Sequence, residues 1–178
     1  MSLVNKNMTN SDISPDCFLG IQYGDFDGKI KSSSDYNSNH DVRGCKLNKI
    51  MPSEHSSAWC ASDSEKDKNP WIQVNFGKRL LITGVSIQGR ADSNQYITKF
   101  RVLYSNDGTN FSHISEFTGN SDNTTVVKRL FPFPIYANII RIQVLEYVVY
   151  PSLRFDLHYI PNEIPEFLKN KILSKYIE

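Results

Sequence analysis

Side chains that could do catalytic chemistry are present, but they fall into no working arrangement. Of the four histidines, His40, His55, His113 and His158, none stands in an HxxxH or HExxH frame. There is no glycine-rich phosphate loop, no Gly-x-Ser-x-Gly, and no carboxylate pair with assignable acid and base roles. His40-Asp41 and Glu54-His55 are sequence neighbours, and adjacent side chains in a strand point to opposite faces. The chain is read as non-catalytic. No cofactor is expected; Asp35, Asp41 and Asp63 would offer oxygen ligands to a Ca²⁺ ion, with nothing further to support one.

A different chemistry is in reach. Tyr36, Asn39, His40, Asp41 and Arg43 crowd one short stretch, and Arg90, Asp92 and Asn94 crowd another. Amides, carboxylates and guanidinium groups make paired hydrogen bonds, and a phenol ring offers an apolar face. These are the requirements of a sugar ligand. Arg90 has a second reading, since a buried arginine paired to a carboxylate looks the same from sequence. Ile50 and Met51, ahead of Pro52, are the one apolar stretch in this set that could enter lipid. Tyr147, Val148, Val149 and Tyr150 are apolar for a segment ending at Pro151. They suit either a protein partner or a cover for one end of the fold.

The elements that must position these residues are strands. Ile72, Val74 and Phe76 alternate with Gln73 and Asn75, and Thr83, Val85 and Ile87 continue the period up to Gly89. Thr98, Phe100, Val102 and Tyr104 share one expected face, and Ser105-Asn106-Asp107-Gly108 supplies a turn. Ile140, Ile142 and Val144 alternate with Arg141 and Gln143; Leu153, Phe155, Leu157 and Tyr159 alternate with Arg154, Asp156 and His158. Period 2 recurs, and Pro132, Pro134 and Pro151 fall between the runs. Half-buried strands of this number suit an all-β antiparallel sandwich. After Pro161 the period lengthens: Phe167, Leu168, Ile172, Leu173, Tyr176 and Ile177 predict a helix over about 165–177. It is marginal alone, so its apolar face calls for cover, from its own sandwich or from a partner or second copy.

The 178 residues suit one domain. Apolar residues at 39% and charged residues at 22% are ordinary for a globular chain, and the formal charge of +1 argues against a nucleic-acid partner. No run approaches the length of an apolar membrane helix. Residues 1–16 read as a polar leader without an apolar signal segment. Cys17, Cys45 and Cys60 match no zinc spacing, and an odd number cannot all pair within one chain. Reduced buried thiols and a Cys45–Cys60 bridge both stay open.

With the strands placed, residues 17–160 resemble the discoidin domain, also called the coagulation factor V/VIII type C domain. The stretches that carry the likeness are Cys17-Phe18-Leu19-Gly20-Ile21, Ile30-Lys31-Ser32-Ser33-Ser34, Ala58-Trp59-Cys60-Ala61 and Trp71-Ile72-Gln73-Val74-Asn75-Phe76-Gly77. Ile82–Arg90, Tyr96-Ile97-Thr98, Tyr104–Gly108, Phe117–Asp122, Pro134-Ile135, Ile140-Arg141-Ile142 and Ser152-Leu153-Arg154 follow in order.

The resemblance implies an eight-stranded jelly roll in which loops 35–44, 48–57 and 90–95 project together as a binding surface. Relatives use such loops for anionic phospholipid, collagen, other proteins or sugars. Here the loops are mainly polar, so a carbohydrate or glycoprotein is the expected ligand and a membrane surface is not. The alternative is a protein-interaction scaffold using the 146–151 segment with helix residues Phe167, Leu168, Ile172 and Tyr176. Arg90-Ala91-Asp92 stands where some relatives carry Arg-Gly-Asp, and with Ala in the middle that integrin-type activity is not carried over. Many extracellular relatives pair a cysteine matching Cys17 with one after the last strand. His158-Tyr159-Ile160-Pro161 offers none, which leans towards a reducing compartment while the family leans extracellular.

Overall fold

The computed structural model describes residues 17–62, 65–161 and 166–174. Seven antiparallel strands and one helix follow in order: β1 (Ile30–Ser32), β2 (Trp59–Cys60), β3 (Trp71–Gln88), β4 (Tyr96–Ser105), β5 (Ser112–Thr118), β6 (Val127–Val148), β7 (Ser152–Ile160) and α1 (Glu166–Leu173). Short 3₁₀ turns cover Ile21–Tyr23 and Val42–Gly44.

The strands form one hydrogen-bonded sheet folded over itself. The first part of β3 pairs with β1 and with the second half of β6, which continues to β4 and β5. The second part of β3 pairs with β7 and with the first half of β6, and β7 carries β2. The runs 72–76 and 83–87, expected as separate strands, are thus one 18-residue strand serving both layers. Seven strands are found among the described residues, where the resemblance implied eight.

Pro132 and Pro134 lie inside β6 rather than between strands. Ile82 faces Ile135 while Gly84 faces Leu130, so residues 131–134 bulge out of the ladder. A proline, lacking an N–H, costs no ladder hydrogen bond at such a bulge. A second irregularity, beside Lys99 in the β4–β6 pair, changes which side chains turn inward. Ile97, Phe100 and Val102 are fully buried, whereas Thr98 and Tyr104, expected to share that face, are half-buried.

Trp59, Phe100, Phe131 and Phe155 are the largest buried side chains of the core between the layers. On β7, Leu153, Phe155 and Leu157 face it as expected. The alternate residues Arg154, Asp156 and His158 are buried too, at 3%, 0% and 1% exposure. The chain before β1 covers their face: Phe18 bridges to His158, Leu19 N–H donates to Leu157 O, and Gln22 N–H donates to the Asp156 carboxylate. The outer face of β7 is therefore a polar second interior.

Helix α1 returns to the sandwich. Leu173 packs on Leu81 and Ile160, and Lys169 Nζ lies 5.8 Å from the centroid of the Tyr136 ring. Phe167 is exposed; Leu168 and Ile172 lie on the helix, their side chains outside the described set, and Tyr176 lies outside the described residues.

Candidate functional site

Trp59 fixes the first wall of the site from within the core. Its indole N–H donates to Ser34 O (3.0 Å) and to Asp35 Oδ1 (3.1 Å), which anchors the chain leaving β1. Tyr36 N–H then donates to Cys60 O and Cys60 N–H donates to His40 O, so residues 36–40 lie along β2. Asn37 Oδ1 accepts from Asn39 N–H and His40 Nδ1, at 2.9 and 2.7 Å. A carbonyl oxygen only accepts, so His40 carries its proton on Nδ1 and Nε2 is left with a lone pair. Burial, and next the neighbouring Arg90, hold the His40 pKa below its ordinary value. At neutral pH its ring is a neutral acceptor.

The opposite wall comes from the end of β3. Asp92 grips the Arg90 guanidinium at Nε (3.0 Å) and Nη2 (2.8 Å) and also accepts Ser57 N–H (3.0 Å). Arg90 Nη1 donates to Gln95 Oε1 at 3.1 Å, and Ser152 Oγ donates to the same oxygen at 3.0 Å. The bond to Asp92 raises the Arg90 pKa and lowers that of Asp92, so both stay charged. Gly89 is required just before this turn: a Cβ there would lie 2.6 Å from Asn123 Cα and 2.8 Å from Gln95 O.

Between the walls is a pocket of about 170 Å³ lined by Tyr36, His40, Cys60, Arg90, Gln95 and Tyr150. The Tyr36 ring meets His40 edge-on at 5.2 Å and Tyr150 at 5.6 Å. Cys60 forms a floor: its sulfur lies 3.2 Å from Ser152 Oγ and 3.4 Å from Ser56 Oγ, and burial pushes its pKa up. The thiol there is protonated and weakly polar. Cys45 and Cys60 carry free thiols, so no Cys45–Cys60 bridge forms.

Of the residues singled out in the sequence, Tyr36, His40 and Arg90 meet in this pocket. Tyr150, read as a partner contact, joins them, and Asp92 acts from behind Arg90. Asp41 and Arg43 pair with each other instead, with Nε–Oδ2 at 2.8 Å, and Arg43 Nη2 donates to Ser38 O. Asn39 gives its carbonyl to Ser56 N–H, and Asn94 is exposed on the turn. Met51 is half-buried, its N–H donating to Ser57 Oγ, while Ile50 is 74% exposed. Tyr147 and Val148 belong to the end of β6, paired with Ile97 and Tyr96, so the loop narrows to Val149–Pro151. Val149 holds φ at 66° with its side chain 64% exposed, a strained conformation for a β-branched residue. Asp35 is occupied by Ser32 Oγ and Trp59, and Asp63 lies outside the described residues. Among the described residues no group of three or more His, Cys, Asp or Glu could hold a metal ion.

Cys60, Gln95 and Arg154 were not named as site residues. Arg154 sits behind the site and donates to Gly89 O (2.6 Å), Lys49 O (3.2 Å) and Asn123 O (3.4 Å). One buried guanidinium thereby gathers loops 48–57, 90–95 and 119–125. Burial lowers its pKa, and among the described residues it takes no direct carboxylate partner. The alternation of β7 marked Arg154 as facing away from the core, and only the tertiary cover over that face gives it this role.

Residues 29–157 match the family model of the F5/8 type C domain. Lactadherin of Sus scrofa is 39% identical over 111 residues, which cover 57% of this chain and 27% of lactadherin. The chain thus corresponds to about a quarter of that protein's length. Among solved structures, discoidin II of Dictyostelium discoideum superposes with a TM-score of 0.70 at 29% identity, covering 75% of this chain and 56% of the other. A family 32 carbohydrate-binding module from C. perfringens NanJ, solved in complex with galactose, gives 0.59 at 21% identity, covering 72% and 90%. At that identity the likeness is one of fold.

Proposed function

The chain belongs to the F5/8 type C, or discoidin, domain family, a family of binding modules, and from that premise we propose a non-catalytic module that binds a saccharide in the Tyr36–Arg90–Tyr150 pocket. The observation that carries the reading is the pairing of a fixed donor with a fixed acceptor across one small cavity. Arg90 is held in place by Asp92 and Gln95, and His40 presents the lone pair of Nε2. A sugar hydroxyl both donates and accepts, so neighbouring hydroxyls on one ring satisfy both groups. Tyr36 and Tyr150 supply apolar faces for the C–H side of the ring. The pocket has room for one sugar ring, which suits a terminal residue of a glycan.

Tyr36 is half exposed, so Tyr36→Ala should fold normally while losing the apolar wall. Titrating galactose, N-acetylgalactosamine and glucose into both proteins tests the reading. At least one sugar should saturate the wild type and weaken about tenfold or more in the variant, the scale of one lost aromatic contact plus hydroxyl bonds. Equal binding by both proteins, or by neither, removes the reading.

A second reading rests on the apolar tips. Ile50 and Val149 are largely exposed on segments next to the pocket, and Lys49 adjoins Ile50. That combination suits an anionic lipid surface. Co-sedimentation with phosphatidylserine vesicles, lost in Ile50→Asp, would support it; no sedimentation of the wild type would end it. For the protein-scaffold alternative, the helix directs Leu173, which is not among the residues named for it, onto Leu81 and Ile160 of its own sandwich, while Phe167 stays exposed.

A further inference from the structure

A second pocket, larger than the first at about 290 Å³, lies on the outer face of the sheet at the β1 edge. Its wall includes Lys29, Lys31, Gln73 and Asn75, with Gly28 and Gly77 contributing backbone. Lys31 is directly opposite Gln73 in the β1–β3 ladder, and Lys29 O accepts Asn75 N–H. Period 2 along both chains puts these four side chains on one face, opposite the buried Ile30, Ile72 and Val74.

The charged side chains lining this pocket have one sign. Arg141, which has donors only, takes Gln73 Oε1 at 2.9 and 2.7 Å. Gly77 N–H takes Asn75 Oδ1 at 2.8 Å. Each amide therefore spends its oxygen on the protein and keeps its NH₂ for a ligand. Among the described residues neither lysine forms an ion pair, and the nearby Asp27 carboxylate is engaged by Lys46 at 2.7 Å. Two lysines and two amides line one cavity, with no carboxylate among its lining residues, and Lys29 Nζ lies 5.7 Å from the centroid of the neighbouring Phe26 ring.

From this we infer an oxyanion site, independent of the saccharide pocket, for a sulfate or phosphate monoester carried on a sugar. The ammonium groups take the oxyanion, and the amide donors take its remaining oxygens or the hydroxyls beside it. The cavity is larger than a lone tetrahedral anion needs, and exposed lysines hold a free anion weakly in salt. Both points favour an anion attached to a saccharide.

The test is an amide-resonance titration at constant ionic strength with galactose 6-sulfate, galactose 6-phosphate, galactose and inorganic sulfate. At least one ester should shift Lys29, Lys31, Gln73 and Asn75 and saturate, while galactose leaves them in place. Lys29→Gln with Lys31→Gln should weaken the ester about tenfold or more, the scale of charge-assisted bonds lost at an exposed site. Asn75→Asp, which places a carboxylate in the wall, should do the same. No shift of these amides with either ester, or undiminished binding by the double variant, overturns the site. Inorganic sulfate binding as tightly as the esters overturns the saccharide part.

Discussion

The carboxylate of Asp92 holds the guanidinium of Arg90 at two nitrogens, 3.0 and 2.8 Å away, and accepts the Ser57 N–H at 3.0 Å. One side chain thus fixes the cation of the pocket and ties its loop to the neighbouring 48–57 loop. Arg90, which the sequence left open between ligand contact and structural pairing, does both: it lines the pocket and is paired. An arginine held on two sides is a pre-oriented donor, and pre-orientation lowers the ordering cost that a ligand meets on binding.

Replacing Asp92 by Ala should weaken saccharide binding about tenfold, the scale of a displaced charged donor. Because Asp92 is partly exposed, the loss of stability should be about 1 kcal/mol or less. Calorimetric titration and chemical unfolding of the same variant separate the two. Normal sugar affinity with full stability would show that Arg90 needs no support.

Binding should depend on pH through His40. Its pKa is lowered by burial and by Arg90, so the ring is neutral at neutral pH and gains a proton only on acidification below its ordinary 6.5. Protonation converts Nε2 from acceptor to donor and sets a charge beside Arg90. Affinity should be flat at and above neutrality and fall in mild acid, and His40→Gln should flatten the profile. A wild-type affinity unchanged through mild acid would take His40 out of the site.

Arg154 should be the most sensitive position behind the pocket. Arg154→Leu leaves the carbonyls of Gly89, Lys49 and Asn123 without their buried donor. A loss of about 2–4 kcal/mol is expected, because unsatisfied buried acceptors keep their desolvation cost. Urea unfolding measures this, and a change within error would contradict the role assigned to Arg154 in joining three loops.

Stability should also fall in acid through His158. This ring is 1% exposed, with Nε2 to Ser86 Oγ at 2.8 Å and Nδ1 buried without a hydrogen-bond partner among the described residues. Burial, and next the charge of Lys128, lower its pKa to about 4 from an ordinary 6.5. Between those values the unfolded chain binds more protons than the folded one, so stability is full above 6.5 and declines as pH falls towards 4. The decline should be on the order of 2–3 kcal/mol. Asp156, whose pKa burial raises, works in the opposite sense from 3.8 upwards and offsets part of it. His158→Gln should remove most of the slope in unfolding curves taken across this range; an unchanged slope would place the titration elsewhere.

The sandwich was legible because half-buried strands print their period directly into the sequence, as in Ile72-Gln73-Val74-Asn75-Phe76. Continuity was not: a bulge such as residues 131–134 opposite Thr83 leaves proline signals that read as a strand break. The pocket was legible in part. Tyr36, His40 and Arg90 stood out by side-chain chemistry, whereas Gln95 and Cys60 are ordinary residues until Ser152 and Arg90 orient them. Asp41 and Arg43 carried the same polar signal as His40, yet they satisfy each other, and only geometry separates a paired couple from a free donor and acceptor.

The most direct measurement is a glycan array probed with the wild type, with Tyr36→Ala, and with the Lys29→Gln, Lys31→Gln double variant. Specific binding to uncharged glycans by the wild type, lost in Tyr36→Ala and kept in the lysine double variant, is the predicted result. A wild-type array without specific binding, or uncharged glycans bound equally by Tyr36→Ala, would contradict a saccharide pocket built from Tyr36, His40, Arg90 and Tyr150.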